Sequence, residues 1–105
     1  MMRAVSVAIA FAITAGCSST ERAPQTHHVA IRAMQFVPAA IEVKVGDTVV
    51  WTNEDVVPHT VTAAGELDSQ SIGTKQAWSY AARKTADFAY SCTFHPTMKG
   101  TLTVR

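Results

Sequence analysis

Four side chains of this chain could together hold one soft metal ion. Cys92, His95 and Met98 stand close together in the run Tyr90-Ser91-Cys92-Thr93-Phe94-His95-Pro96-Thr97-Met98, and His59 stands well upstream in Val57-Pro58-His59-Thr60-Val61. Thiolate and thioether sulfurs favour Cu(I) while imidazoles also serve Cu(II), so the mixed set suits copper and one-electron exchange. The spacing Cys-x-x-His-x-x-Met lets a tight loop curl around an ion while a remote histidine closes the site from another strand. Zinc matches less well, because structural zinc usually takes four Cys or His ligands, catalytic zinc takes three protein ligands and water, and neither pattern calls for a thioether. Taken singly, Cys92 reads equally as a buried inert thiol, and His95 or Met98 as an ordinary loop or core residue. The four together argue for a metal.

On these residues the chain resembles the cupredoxins, the blue-copper family, and within it the small plastocyanin and amicyanin type with a short ligand loop. The resemblance runs from about Val29 to Val104. Its specific pieces are the Cys92 to Met98 loop, the Pro58-His59 pair and the stretch Val43-Lys44-Val45-Gly46-Asp47-Thr48-Val49-Val50-Trp51-Thr52-Asn53, similar to the strand-turn-strand lead into the first histidine. It implies an all-β fold, a small Greek-key β-sandwich with the metal site in loops at one end. It further implies one copper ion cycling between Cu(II) and Cu(I), with His59, Cys92 and His95 as strong trigonal ligands and Met98 as the weak axial one. Amicyanins usually carry proline just before the second histidine, where this chain has Phe94. Phenylalanine restores a backbone N–H, and that donor is expected near the Cys92 sulfur.

The elements that must position these residues are strands. Apolar residues alternate at Val29 and Ile31; at Ile41, Val43 and Val45; at Val49 and Trp51; at Trp78 and Tyr80; at Phe88, Tyr90 and Cys92; and at Leu102 and Val104, the period-two pattern of half-buried strands. Turn residues separate them, and no long stretch has the three-four spacing of an amphipathic helix. The alternation that buries Phe88 and Tyr90 would also point Cys92 inward at the strand's end. Met34 and Phe36 could cover the site or pack in the core, with core packing favoured. Thr60 and Thr93 each follow a candidate ligand and could join the two loops by a hydrogen bond. His27 and His28 could form an accessory metal site, although adjacent histidines near a terminus are more often simply exposed.

With 105 residues and two cysteines there is room for one small domain. Arg3 followed by the apolar run Ala4 to Ala15, too short to span a bilayer as a helix, reads as an export signal. Thr14-Ala15-Gly16-Cys17 resembles a bacterial lipobox, with leucine expected where Thr14 stands. The expected division is residues 1–16 signal peptide of lipoprotein type, 17–26 flexible tether and 27–105 cupredoxin domain. Cys17 is then the lipidation site and the only route to a membrane. A disulfide between Cys17 and Cys92 is the competing use of the two cysteines, and it would consume the thiolate. A formal net charge of +1, without a basic track, argues against nucleic acid. Glu54 and Asp55 read as a short acidic pair on a solvated surface, with the orientation of a basic partner as the less favoured role.

Two functions remain open on these residues. One is an exported, monomeric electron carrier, periplasmic or anchored by its lipid, that meets redox partners through a weak, transient interface near His95. The other is copper delivery, storage or sensing. A catalytic role is not expected, since only His27 and His28 would remain to hold further copper ions.

Overall fold

The computed structural model describes residues 2–11 and 22–105. Nine strands follow in order: β1 (Thr26–Arg32), β2 (Gln35–Val37), β3 (Ala40–Val43), β4 (Thr48–Asn53), β5 (Thr62–Ala63), β6 (Leu67–Asp68), β7 (Ala77–Ala81), β8 (Ala86–Ser91) and β9 (Lys99–Val104). They form a four-stranded sheet in the order β2-β1-β4-β7 and a five-stranded sheet in the order β3-β9-β8-β5-β6. The consecutive strands β3 and β4 therefore belong to different sheets. β1 runs parallel to β4 and β3 parallel to β9, while the other neighbours are antiparallel. No helix occurs among the described residues, so the all-β sandwich expected from the alternation is the fold.

Period-two alternation turns one face of each sheet inward. Val29, Ile31, Val49 and Trp51 from the first sheet and Phe88, Tyr90, Leu102 and Val104 from the second are all buried. Each fully buried Val, Leu or Ile contributes about 1.5–3 kcal/mol relative to exposure. Trp51 lies across from Trp78 in the β4–β7 register and meets Tyr90 edge-on from the other sheet, with ring centroids 5.6 Å apart. Its indole Nε1–H donates to the Tyr90 hydroxyl at 3.2 Å. Burial raises the Tyr90 pKa, and the Trp51 donor opposes that rise. Phe36 is also core and packs on Tyr90, whereas Met34 is exposed.

Val45 departs from the expected strand pattern. β3 ends at Val43, Gly46 turns the chain with φ 99°, and Asp47 N–H donates to the Lys44 carbonyl at 3.0 Å. Val45 is thereby left exposed in the turn.

The sandwich has two unlike poles. At one, the buried carboxylate of Asp47 receives Arg22 Nη2 at 2.8 Å, the Gln25 amide at 2.9 Å, the Lys44 amide at 3.0 Å and His27 Nε2 at 2.8 Å. The described part of the segment read as a tether is thus held against the domain, and β1 begins at Thr26. His27 is committed to Asp47, and His28 is exposed. At the other pole lie the loop that follows β4 and the Cys92 to Met98 loop between β8 and β9. Residues 2–11 form neither helix nor strand, and no helix among the described residues is long and apolar enough to cross a membrane. Cys17 lies outside the described residues.

Candidate metal centre

Local hydrogen bonding places His59. Asn53, the last residue of β4, is fully buried, and its Nδ2 donates to the carbonyls of Val57 and Ile72, both at 2.9 Å. Its Oδ1 accepts the Asp55 amide at 2.8 Å. His59 then exchanges two backbone hydrogen bonds with Ile72, at 3.1 and 2.8 Å. Cys92 lies one residue beyond β8 and is wholly buried. Its amide donates to the Met98 carbonyl at 3.1 Å, and the Met98 amide to the His95 carbonyl at 2.9 Å, which closes the loop tightly.

These two loops bring three candidate ligands together. His59, Cys92 and His95 offer donor atoms within 4.8 Å of one another, with the sulfur 3.7 Å from each histidine Nδ1. Met98, in the same loop, is buried. His59 is fully buried while His95 is only half-buried, so the two imidazoles differ in their access to solvent. Two nitrogen donors, a thiol that is free among the described residues and a buried thioether in the same loop match the donor chemistry of a mononuclear copper site, and the thioether leaves zinc the poorer fit. A surface hollow of about 630 Å³ lies at the other pole among Arg22, Pro24, Lys44, Val45 and Asp47. It lacks such a set of donors.

The loops are cross-linked around the sulfur. Thr93 N–H donates to Thr60 Oγ1 at 2.9 Å, and the two threonine hydroxyls lie 3.2 Å apart, so this pair joins the loops as expected. The backbone amide that reaches the Cys92 sulfur is that of Thr60, at 3.3 Å. The Phe94 amide, expected in that role, makes no such bond among the described residues. Thr60 follows the buried His59 directly, so its amide points into the site from the facing loop.

Asp55 is the residue that sequence reasoning placed wrongly. Its Oδ2 lies 2.8 Å from His59 Nε2, and its two carboxylate oxygens accept the amides of Ala33 and Met34 at 2.7 and 3.1 Å. Burial pushes its pKa up, but the bonds from Met34, His59 and Ala33 outweigh that and hold it below the ordinary carboxylate value. An ionised carboxylate only accepts, so His59 Nε2–H is the donor in this pair and Nδ1 is the ring nitrogen that faces the Cys92 sulfur. Glu54 by contrast is exposed and faces Arg32 at 3.8 Å. The acidic pair is therefore split, one member facing inward and one facing solvent. The four-residue spacing of Asp55 and His59 was the available signal.

Large apolar side chains crowd this pole. Outside residues 2–11 and the turn residue Val45, those exposed among the described residues are Met34, Val56, Val57 and Phe94, all in or beside the loops just described. Met34 lines a hollow together with Phe36, Thr97 and Met98.

Comparison with known proteins agrees with this geometry. Residues 24–105 match the family described as copper binding proteins, plastocyanin/azurin family. The chain is 35% identical to an amicyanin of Paracoccus denitrificans over 82 residues, covering 72% of this chain and 63% of that protein. It is 30% identical to amicyanin-alpha of Methylorubrum extorquens, covering 98% and 99% of the two chains. The aligned part thus spans a little under two thirds of the Paracoccus protein and nearly the whole of the Methylorubrum one. A solved Cu(I) form of an amicyanin variant superposes with a TM-score of 0.72 at 34% identity, over 81% of this chain and 87% of the other. With the family's pattern matched over residues 24–105 and the fold shared with a solved amicyanin, the chain belongs to the plastocyanin/azurin family of copper-binding proteins.

Proposed function

We propose that this protein is an exported carrier of single electrons that holds one copper ion through His59, Cys92, His95 and Met98. The observation that carries the reading is the convergence of His59 Nδ1, Cys92 Sγ and His95 Nδ1 within 4.8 Å on loops already tied down by their own hydrogen bonds. When bound, copper supplies a one-electron couple between Cu(II) and Cu(I). The chain's part is to keep the donors still. Asn53 holds the His59 loop, Asp55 orients the His59 ring, the Thr60 amide meets the sulfur and the Thr60–Thr93 pair joins the two loops. Small movement between redox states favours rapid exchange, whereas a delivery protein needs ligands that open readily. The pre-set loops therefore support electron transfer over delivery, storage or sensing, and the short supply of further donors supports a carrier over a catalyst.

His95 is the half-buried ligand and the proposed port for electrons. Exposed Phe94, Val57 and Met34 offer a small apolar surface suited to brief contact with a redox protein. Arg3 and the apolar run after it support export, and Cys17 is the proposed lipid anchor. Fractionation of cells and mass spectrometry of the mature N-terminus test both, and a soluble product without lipid removes the anchor.

The copper reading is tested by the optical and electron-paramagnetic spectra of the Cu(II)-loaded protein. An intense blue band with narrow copper hyperfine splitting is expected, and Cys92→Ser should abolish the band even where copper still binds, because the band arises from thiolate-to-copper charge transfer. A blue Cys92→Ser protein would remove Cys92 from the site.

A further inference from the structure

The turn between β1 and β2 adopts a backbone that its own residues do not favour. Ala33 and Met34 are both left-handed, with φ 49° and 60°, in a two-residue hairpin connection where Asn, Asp or Gly usually stands. Crowding at Cβ disfavours this conformation for other L-residues. What offsets it is Asp55, whose Oδ1 accepts the Ala33 amide at 2.7 Å and whose Oδ2 accepts the Met34 amide at 3.1 Å. The same Oδ2 accepts His59 Nε2–H at 2.8 Å. Asp55 is itself fixed, since its amide donates to Oδ1 of the buried Asn53. The turn it closes carries Met34, which shares a surface hollow of about 330 Å³ with Met98.

We propose that Asp55 is a positioning residue that joins the Ala33–Met34 turn to His59, so that one carboxylate sets both the Nε2-protonated tautomer of His59 and the seat of Met34 beside Met98. A contact made at Met34 then bears on a copper ligand through two hydrogen bonds to one group, which couples the partner-facing surface to the metal site. The redox consequence rests on the copper reading above. A carboxylate bonded to the far nitrogen raises the basicity of a ligating imidazole, which favours Cu(II), so losing the bond should raise the reduction potential. The link between turn and histidine does not rest on copper and can be measured without it.

The test uses the full chain, first copper-free and then loaded with copper. In copper-free wild type, nuclear magnetic resonance should show slow exchange of the Ala33 and Met34 amides and a single Nε2–H tautomer of His59. Asp55→Ala should speed exchange of both amides at least tenfold and leave His59 a mixture of tautomers. Asp55→Asn covers the case in which Asp55→Ala does not fold. It keeps the shape but has one acceptor oxygen in place of two, so it should lose either the turn's protection or the His59 tautomer. In the loaded protein, Asp55→Ala should stay blue while its redox equilibrium moves about tenfold toward Cu(I), a rise of about 59 mV for one electron. Unchanged amide exchange and tautomer in the folded variants would overturn the proposal, as would an unchanged potential in a variant that stays blue. A wild type with no blue band would overturn the copper reading instead, and the copper-free exchange and tautomer would still decide the link.

Discussion

Inward-facing polar groups of this protein act through well-placed hydrogen bonds. Tyr90 is buried and its hydroxyl accepts the only hydrogen bond that the Trp51 indole makes among the described residues. Tyr90→Phe should leave that indole N–H unpaired in the core and cost about 1–3 kcal/mol, read as a lower urea midpoint of the copper-free protein. The Tyr90 hydroxyl bonds to none of the candidate ligands, so the blue band should not change. A midpoint equal to wild type would mean that the indole finds another acceptor. The same scale explains why Asp55 was hard to read. Asn53-Glu54-Asp55 has the composition of an exposed turn, yet Asn53 uses all its polar atoms inside the fold and its Oδ1 draws the Asp55 backbone in behind it.

At the scale of elements, the β8–β9 pair positions the candidate sulfur ligand, and it packs tightly over one glycine. Gly100 faces Tyr90 across the ladder, and the Tyr90 ring lies so close over it that a Cβ at position 100 would collide with ring atoms. Gly100→Ala should therefore destabilise the protein by about 1–3 kcal/mol, the usual range for overpacking a filled core, as measured by denaturant unfolding. An unaffected midpoint would show that the ring can move aside. The long alternating strands were legible because each shows a buried face over several residues. β2 has three residues and β5 and β6 two each, too few to show a period, and they exist because neighbouring strands supply their hydrogen-bond partners.

Across the whole molecule, the metal pole and the Asp47 pole lie at opposite ends of β1 and β4. Asp47 is held well below the ordinary carboxylate range, first by the Gln25 amide and then by the Arg22 guanidinium, with smaller help from His27 and the Lys44 amide against the opposing effect of burial. A carboxylate with a depressed native pKa stabilises the fold above its unfolded value of about 3.9, and that stability is lost as pH falls toward the native pKa. Copper-free wild type should therefore be more stable than Asp47→Asn at neutral pH, and the gap should close as pH falls below about 4. Urea midpoints across that range check the sign, and a gap independent of pH would mean that the charge of Asp47 is not what holds the segment from Arg22 to His27.

Residue types and spacing by themselves determined the metal chemistry and the fold class. A thiol, two imidazoles and a thioether carry their preferences wherever they are placed, and the period-two burial of Val49 and Trp51 or Phe88 and Tyr90 is a local pattern. Only the tertiary structure decided which groups surround the candidate ligands, because those contacts join segments far apart in the chain. The Thr60 amide reaches the Cys92 sulfur from the facing loop, Asp55 reaches back to the β1–β2 turn, and Asp47 gathers Arg22, Gln25 and His27. A hydrogen bond needs its donor and acceptor within about 3 Å, and a chain position carries no such distance until the two sheets have packed.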